Sequence, residues 1–205
     1  MYDAIEDPYC YPGTTVLKNL LDVRDQGTLG ELEAVLTVAR SDEPLPDGRL
    51  SVSYYVAIHD HLFQDLYSWA GKYRRVRISK DGSAFCYPEN IAPEMKELFA
   101  SLRGKNFLRG LSREHFAAEA AAFLSTLNAI HPFREGNGRT QTTFLTLLAE
   151  QAVHPLNLDR LVPGEFLAAM VASFKGDDGP FEQQILVLTS NNGWCWQRRH
   201  DLDAP

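Results

Sequence analysis

The sequence predicts an all-α fold, a helical bundle interrupted by one β-hairpin. Three observations lead there. Apolar residues recur at helical spacing through most of the longer segments. Proline and glycine punctuate the chain at intervals that suit helix ends, as at Tyr11-Pro12-Gly13, Pro44 and Pro46, and Asn191-Asn192-Gly193. Residues 72–86 break the pattern and alternate with a period of two.

Taken in order, Leu17, Leu20 and Leu21 mark a first helix, and a second runs from about Leu29 to Arg40. A longer one spans Val52 to about Trp69, with Tyr55, Ile58, Leu62 and Leu66 turned to the core. His59 and His61 lie on it two residues apart, so they point to different faces and make a poor metal pair. Tyr73, Arg75, Arg77 and Ser79 then alternate with Arg74, Val76, Ile78 and Lys80, and Lys80-Asp81-Gly82-Ser83 supplies the Asp-Gly turn of a hairpin. Ser112 suits the N-cap of a helix to about Ala129 that carries Phe116, Phe123, Leu124 and Leu127. The next helix holds Phe144, Leu145, Leu147 and Leu148 and ends near Val153. Two more follow, Pro163 to Phe174 and Pro180 to Thr189, each with proline in its first turn. The expected organisation is one domain over residues 1–190 and a tail, 191–205, whose Trp194 and Trp196 show no periodicity.

With 205 residues, 44% hydrophobic and 23% charged, the chain can bury a sizeable core. Its formal charge of −7 and pI near 5.3 argue against a nonspecific nucleic-acid surface, which needs clustered Lys and Arg. Cys10, Cys86 and Cys195 are odd in number and widely spaced, with no disulfide framework, so a reducing cytoplasm is expected. The acidic N-terminus has no signal-like apolar stretch, and no run approaches the roughly 20 apolar residues of a membrane span. Lys72, Arg74, Arg75, Arg77 and Lys80 form the notable basic cluster, either a solvated strand face or a means of steering an acidic target or ATP.

The chemistry concentrates in His131-Pro132-Phe133-Arg134-Glu135-Gly136-Asn137-Gly138-Arg139, between two helical stretches. Gly136 and Gly138 lack Cβ atoms, so the backbone can turn through positive φ and let a phosphate approach its N–H groups at a helix N-terminus. Glu135 can hold Mg2+, which takes oxygen ligands and bridges carboxylates to substrate phosphates. Asn137 can donate to a phosphate oxygen as charge builds there, and Arg139 can grip a terminal phosphate as a planar fork. His131 has an ordinary pKa near 6.5 and can deprotonate an attacking hydroxyl. Pro132 and Phe133 suit structural roles, stopping a helix and anchoring the loop in the core.

These nine residues match the HPFx(D/E)GNGR core of Fic-domain proteins, the Fic/Doc superfamily. The resemblance extends through Ala57 to Asp65, Trp69-Ala70-Gly71 and Ile78 to Ser83, covering about residues 8 to 190. It implies a Fic fold in which the hairpin, about 72–86, is a flap over the active-site loop 131–139. Flap residues Ile78, Ser79, Lys80, Asp81, Gly82 and Ser83 would register an extended target segment backbone to backbone, as an exposed strand edge can. The implied activity is transfer of AMP from ATP to a Ser, Thr or Tyr hydroxyl of a target protein. His131 would be the general base, Glu135 the Mg2+ ligand and Asn137 a donor to the α-phosphate, with Gly136, Gly138 and Arg139 on the phosphates. Doc-type kinases of the superfamily carry Lys where this chain has Gly138, so the resemblance favours nucleotidyl over phosphoryl transfer.

One position departs from the family pattern, which continues RxxR. Arg139 is followed by Thr140, Gln141 and Thr142, so the second arginine, which normally holds the γ-phosphate, is absent. Weakened ATP handling, or a silent relative serving as a binding scaffold, is the expected consequence. Transfer of UMP, phosphocholine or phosphate by the same loop is the other alternative. Self-silencing members carry (S/T)xxxE(G/N), whose glutamate competes with the γ-phosphate. Here Glu89-Asn90 has Phe85 four residues upstream and Glu135-Gly136 lies inside the active loop, so neither fits. The chain thus resembles toxin-type members whose inhibitory helix sits on a separate small antitoxin. Similar toxin-type members modify ATPase subunits of bacterial type II topoisomerases, which by analogy suggests such a target.

Overall fold

A computed structural model describes residues 7–80 and 83–189. Asp81, Gly82 and the tail with Trp194 and Trp196 lie outside the described residues. Among these residues the fold is built from seven α-helices: α1 (Gln26–Ser41), α2 (Val52–Phe63), α3 (Ile91–Gly104), α4 (Arg113–Ile130), α5 (Asn137–Gln151), α6 (Pro163–Phe174) and α7 (Gly179–Leu188). The all-α expectation is borne out.

Several helix starts follow directly from side-chain chemistry. Asp25, Ser51 and Ser112 accept the backbone N–H of Thr28, Tyr54 and His115, satisfying donors that have no partner within the first turn. Helix α4 is the hub and packs against α3, α5, α6 and α7, while α2 packs on both α1 and α5. At the junction of α2, α3 and α5, Tyr55 meets Phe99, Phe133 and Phe144 with ring centroids 5.6–5.9 Å apart. Each such ring, fully removed from water, contributes roughly 1.5–3 kcal/mol. Loop 131–139 is thereby held between α4 and α5, with Phe133 seated in this aromatic cluster.

The elements differ from the sequence assignment in four places. Leu17, Leu20 and Leu21 form no helix: Leu17 is buried in an isolated bridge with Cys10, the other two are exposed, and Asp22 turns the chain at φ 52°. Helix α2 stops at Phe63 rather than Trp69, because residues 64–71 turn back on themselves while still burying Leu66, Tyr67 and Trp69. Helix α3 was not assigned from the sequence at all. The hairpin shrinks to β1 (Ser79–Lys80) and β2 (Ser83–Ala84), antiparallel, pairing Ser79 with Ala84 and Lys80 with Ser83. Its base is short because backbone groups that would extend the ladder bond the loop instead: the Arg74 N–H donates to the Pro132 carbonyl and the Cys86 N–H to that of Ala129.

Candidate active site

Helix α4 delivers His131 as its C-cap, in the left-handed conformation at φ 49°, ψ 64°. That conformation turns the chain sharply into Pro132 and ends the helix. The imidazole is 6% exposed and stacks on Phe85 of the flap, ring centroids 4.0 Å apart. Its Nδ1 lies 3.3 Å from the Asn128 carbonyl, which can only accept, so Nδ1 carries the hydrogen and Nε2 the lone pair. Burial pushes the pKa of His131 down to about 3. The Asn128 carbonyl opposes this, and the positive charges of Arg74, Lys80 and Arg134 reinforce it. A neutral imidazole with an unprotonated Nε2 is the form a proton acceptor needs.

Phe133 is wholly buried and anchors the loop between Tyr55 and His59. Asn137 clasps the loop shut. Its Oδ1 accepts the Phe133 N–H at 3.0 Å and its Nδ2 donates to the Phe133 carbonyl at 2.8 Å. Sequence reasoning assigned Asn137 only to a phosphate; the structure adds this role, and donation outward would use the second Nδ2 hydrogen. Gly136 caps α5 at φ +81°, and a Cβ there would stand 2.4 Å from the Phe63 ring, so both backbone and space require glycine. At Gly138, by contrast, a Cβ would meet nothing within 4 Å, which leaves room over the helix N-terminus for an approaching group.

Glu135, Gly136, Gly138, Arg139 and Thr142 line one cleft of about 480 Å³, closed by Ser41 of α1 and by Leu161, Phe166 and Leu167 at and before α6. His131 is not among its lining residues. Its ring is instead packed beneath Phe85 of the flap. Glu135 is the cleft's carboxylate and accepts the Gly136 N–H at 2.9 Å. Among the described residues no cluster of three or more His, Cys, Asp or Glu could hold a metal unaided. One carboxylate on an open cleft fits Mg2+, which completes its shell with water and substrate oxygens.

Four partners of the loop escaped sequence reasoning because they lie far off in the chain. Glu33 of α1 forms an ion pair with Arg139 and also accepts the Tyr67 hydroxyl, while the Arg139 guanidinium lies 4.7 Å from the Phe63 ring. His59, buried, is bonded to the Glu135 carbonyl at 3.0 Å. Arg74 is 1% exposed and donates to the carbonyls of His131 (2.8 Å), Ile130 (3.2 Å), Val76 (2.7 Å) and Cys86. Asp7 pairs with Arg134 at 2.6 Å, both side chains less than 10% exposed.

The basic cluster accordingly divides. Arg74 points inward as a structural strut, while Lys72, Arg75 and Arg77 are exposed and the Arg77 guanidinium covers the Tyr87 ring at 4.0 Å. Of the flap residues, Ile78 is buried and its carbonyl accepts the Phe85 N–H, while Ser79 and Lys80 are half-buried. The alternation read from sequence is real, with Arg74 and Ile78 on the inner face. His59 and His61 serve as hydrogen-bonding residues of the fold, the latter to the Arg40 carbonyl at 2.8 Å.

Residues 49–149 match the model of the Fic/DOC family. A probable protein adenylyltransferase of Sinorhizobium fredii, y4lH, is 49% identical over 90% of this chain and 96% of its own length. The protein adenylyltransferase VbhT of Bartonella schoenbuchensis is 37% identical over 86% of this chain but only 37% of its own, longer sequence. Among solved structures, the BepC protein of Bartonella tribocorum with bound AMPPNP superposes with a TM-score of 0.77 at 29% identity, covering 88% of this chain and 95% of that one. An ADP-bound Fic domain from Bartonella quintana gives 0.76 at 30% identity, covering 88% and 93%. With loop 131–139 inside the family match and a 49% identical relative spanned almost end to end, the chain belongs to the Fic/DOC family.

Proposed function

We propose that the protein is an adenylyltransferase that moves AMP from ATP to a hydroxyl side chain of a target protein. The observation that carries this reading is the loop 131–139 itself, which sets Glu135, Gly136, Gly138 and Arg139 on an open cleft and holds a neutral, buried imidazole at its start beneath Phe85. Relatives named adenylyltransferases and neighbours holding AMPPNP and ADP support it.

The target hydroxyl attacks the α-phosphorus in line, Nε2 of His131 takes its proton, and the bond to the β-phosphate oxygen breaks to release pyrophosphate. Gly136, Gly138, Asn137 and Arg139 bind and orient the phosphates, so that positioning and charge stabilisation carry most of the rate. Glu135 would hold Mg2+, whose part is to neutralise charge on the phosphates. The strand edge at Ser79–Lys80 would align the target segment against His131. Incubating the purified chain with labelled ATP and cell lysate tests the reading directly: a labelled protein band supports it, and no AMP transfer to any protein would leave the scaffold alternative standing. Labelled UTP, CDP-choline and γ-labelled ATP run alongside separate the other transfers.

The chain acts, on this proposal, in the cytoplasm as the toxin of a toxin–antitoxin pair, silenced by a small partner carrying the (S/T)xxxE(G/N) helix. Two features support a helix supplied from outside. No glutamate of this chain fits the pattern, and α1 and α6, which both border the cleft, leave Val35, Val38, Leu167 and Val171 exposed. Free thiols at Cys10 and Cys86 suit a reducing compartment, and no helix among the described residues is long and apolar enough to cross a membrane. A type II topoisomerase subunit is the target class suggested by analogy with similar toxin-type members.

Thr142 sets the level of activity. Its hydroxyl donates to the Gly138 carbonyl at 3.0 Å and offers no charge to the cleft it lines. A charge-assisted phosphate contact contributes on the order of 1.5–3 kcal/mol. Thr142→Arg should therefore improve ATP affinity or turnover by roughly 10- to 100-fold. Calorimetry and steady-state kinetics measure this, and unchanged values for both would show that the missing guanidinium is immaterial.

Glu33 acts in the opposite direction, since an incoming phosphate must compete with its carboxylate for Arg139. The Arg139 end of this pair is 37% exposed, and pairs open to solvent contribute about 0.2–1 kcal/mol. Glu33→Gln keeps an acceptor for Tyr67 and should tighten ATP binding by roughly 1.5- to 5-fold. Weaker binding would instead mean that Glu33 aims Arg139 at the phosphates.

A further inference from the structure

His59 lies on α2, 76 positions before the carbonyl it bonds, and no step of the proposed reaction uses it. Its ring is held at both nitrogens. The Gly71 N–H donates to Nδ1 at 2.9 Å, so Nδ1 bears the lone pair and Nε2 the hydrogen, which is donated to the Glu135 carbonyl at 3.0 Å. The ring also stacks on Phe133 with centroids 3.7 Å apart and leans on Phe63 at 4.8 Å. A ring flip would exchange nitrogen for carbon at both partners. The imidazole is thus fixed in tautomer and orientation by groups that belong to the fold rather than to any ligand.

The bond to Glu135 decides how one peptide faces. In a trans peptide the carbonyl and the next N–H point in opposite directions, and the described chain contains no cis peptide. With the Glu135 carbonyl drawn inward to His59, the Gly136 N–H must face the cleft side, where it meets the Glu135 carboxylate at 2.9 Å. Because Gly136 lacks a Cβ and sits at φ +81°, little steric resistance opposes rotation of that peptide. Rotated, it would turn a carbonyl oxygen toward a site meant for anions, replacing a donor with a repelling acceptor.

We propose that His59 is a positioning residue that locks the Glu135–Gly136 peptide with its carbonyl inward, so that the Gly136 N–H, which the Glu135 carboxylate accepts here, faces the cleft and can pass from that carboxylate to an oxygen of a nucleotide polyphosphate. The proposal rests on reading this loop as the phosphate cradle. It assigns the Ala57–Asp65 and Trp69–Gly71 segments a share in nucleotide binding, although neither touches the cleft through His59 itself.

Two substitutions separate the ends of the ring. Asparagine places its side-chain oxygen where Nδ1 stood and keeps the Gly71 contact, whereas glutamine reaches as far as Nε2 and keeps the donor to Glu135. Binding of Mg2+–tripolyphosphate and of Mg2+–ATP is measured by calorimetry beside the melting temperature. His59→Asn should weaken both ligands by about 10-fold or more, as expected for a lost anion donor, while His59→Gln stays within about 3-fold of wild type even if it melts lower. Affinities that fall in both variants in step with their melting temperatures, or an unaltered affinity in His59→Asn, would overturn the lock. The nitrogen spectrum of His59 in the wild-type protein adds a readout that needs no variant: hydrogen on Nε2 supports the proposal, hydrogen on Nδ1 refutes it. Wild-type protein that binds neither ligand would remove the phosphate-cradle reading and the lock with it. Wild-type binding with indifferent variants removes the lock alone.

Discussion

Replacing His131 with alanine should cut AMP transfer by about 10²- to 10⁴-fold, the range typical of losing a general base, while the protein stays folded. The imidazole stacks on Phe85 and its Nδ1 makes a long bond of 3.3 Å to the Asn128 carbonyl, while the backbone bonds that shape the loop do not depend on the ring. A cost near 1 kcal/mol corresponds to a fall of roughly 2–4 °C in melting temperature for a chain this long. Labelled AMP incorporation and a thermal melt measure the two sides, and incorporation at the wild-type rate would remove His131 from its role. A pH titration probes the same group. With the pKa of His131 lowered to about 3, the nucleotide-free protein should show no protonation of this imidazole near pH 6.5. The linked effect on stability has a definite sign. Between about pH 6.5 and 3 the unfolded chain binds this proton and the folded chain does not, so this residue's contribution lowers stability as the pH falls through that window.

Arg74→Met should be the most damaging single change outside the loop. Methionine replaces the volume of the stem but leaves the carbonyls of Ile130, His131, Val76 and Cys86 without the guanidinium that joins them. Each buried group left unmet costs about 1–3 kcal/mol, and partial relaxation brings the expected loss to on the order of 4 kcal/mol. By the same scaling the melting temperature should drop by roughly 8–16 °C. Two of the four carbonyls flank the flap and two end the helix that presents His131, so Arg74 is also what holds target side and base in register. Arg74→Lys should recover part of the stability, since one ammonium cannot reach all four acceptors. Urea denaturation checks both variants; a loss under 1 kcal/mol for Arg74→Met would show that the strut is dispensable.

The chain order hides residues of this kind. Loop 131–139 was legible because its chemistry is contiguous, nine neighbours of which all but Arg134 suit a definite task. Arg74 read as one more base in a surface cluster, and the period-two alternation that places it inward carried no sign of what it would meet. Glu33 gave no motif, and its link to Arg139 arises only because two long side chains reach toward each other from α1 and the start of α5. Helix α3 is a different kind of miss, because its signal was present: Ile91, Met95, Phe99 and Leu102 recur at helical spacing and all are buried. Asn90 makes no capping bond there, so the usual marker of a helix start was lacking. Leu17, Leu20 and Leu21 erred the other way, three leucines at suggestive spacing in a segment that leaves two of them in water.

The Asp7–Arg134 pair bears on where this protein can safely be cut. The family match begins at residue 49, and a fragment trimmed to that limit would shed Asp7 together with all of α1. Arg134 would then keep its place inside the protein with its carboxylate gone, and breaking such a pair costs about 3–5 kcal/mol. A fragment that keeps the working turn braced is therefore expected to reach back at least to Asp7, more than forty residues ahead of the family match, where that carboxylate serves as a buttress.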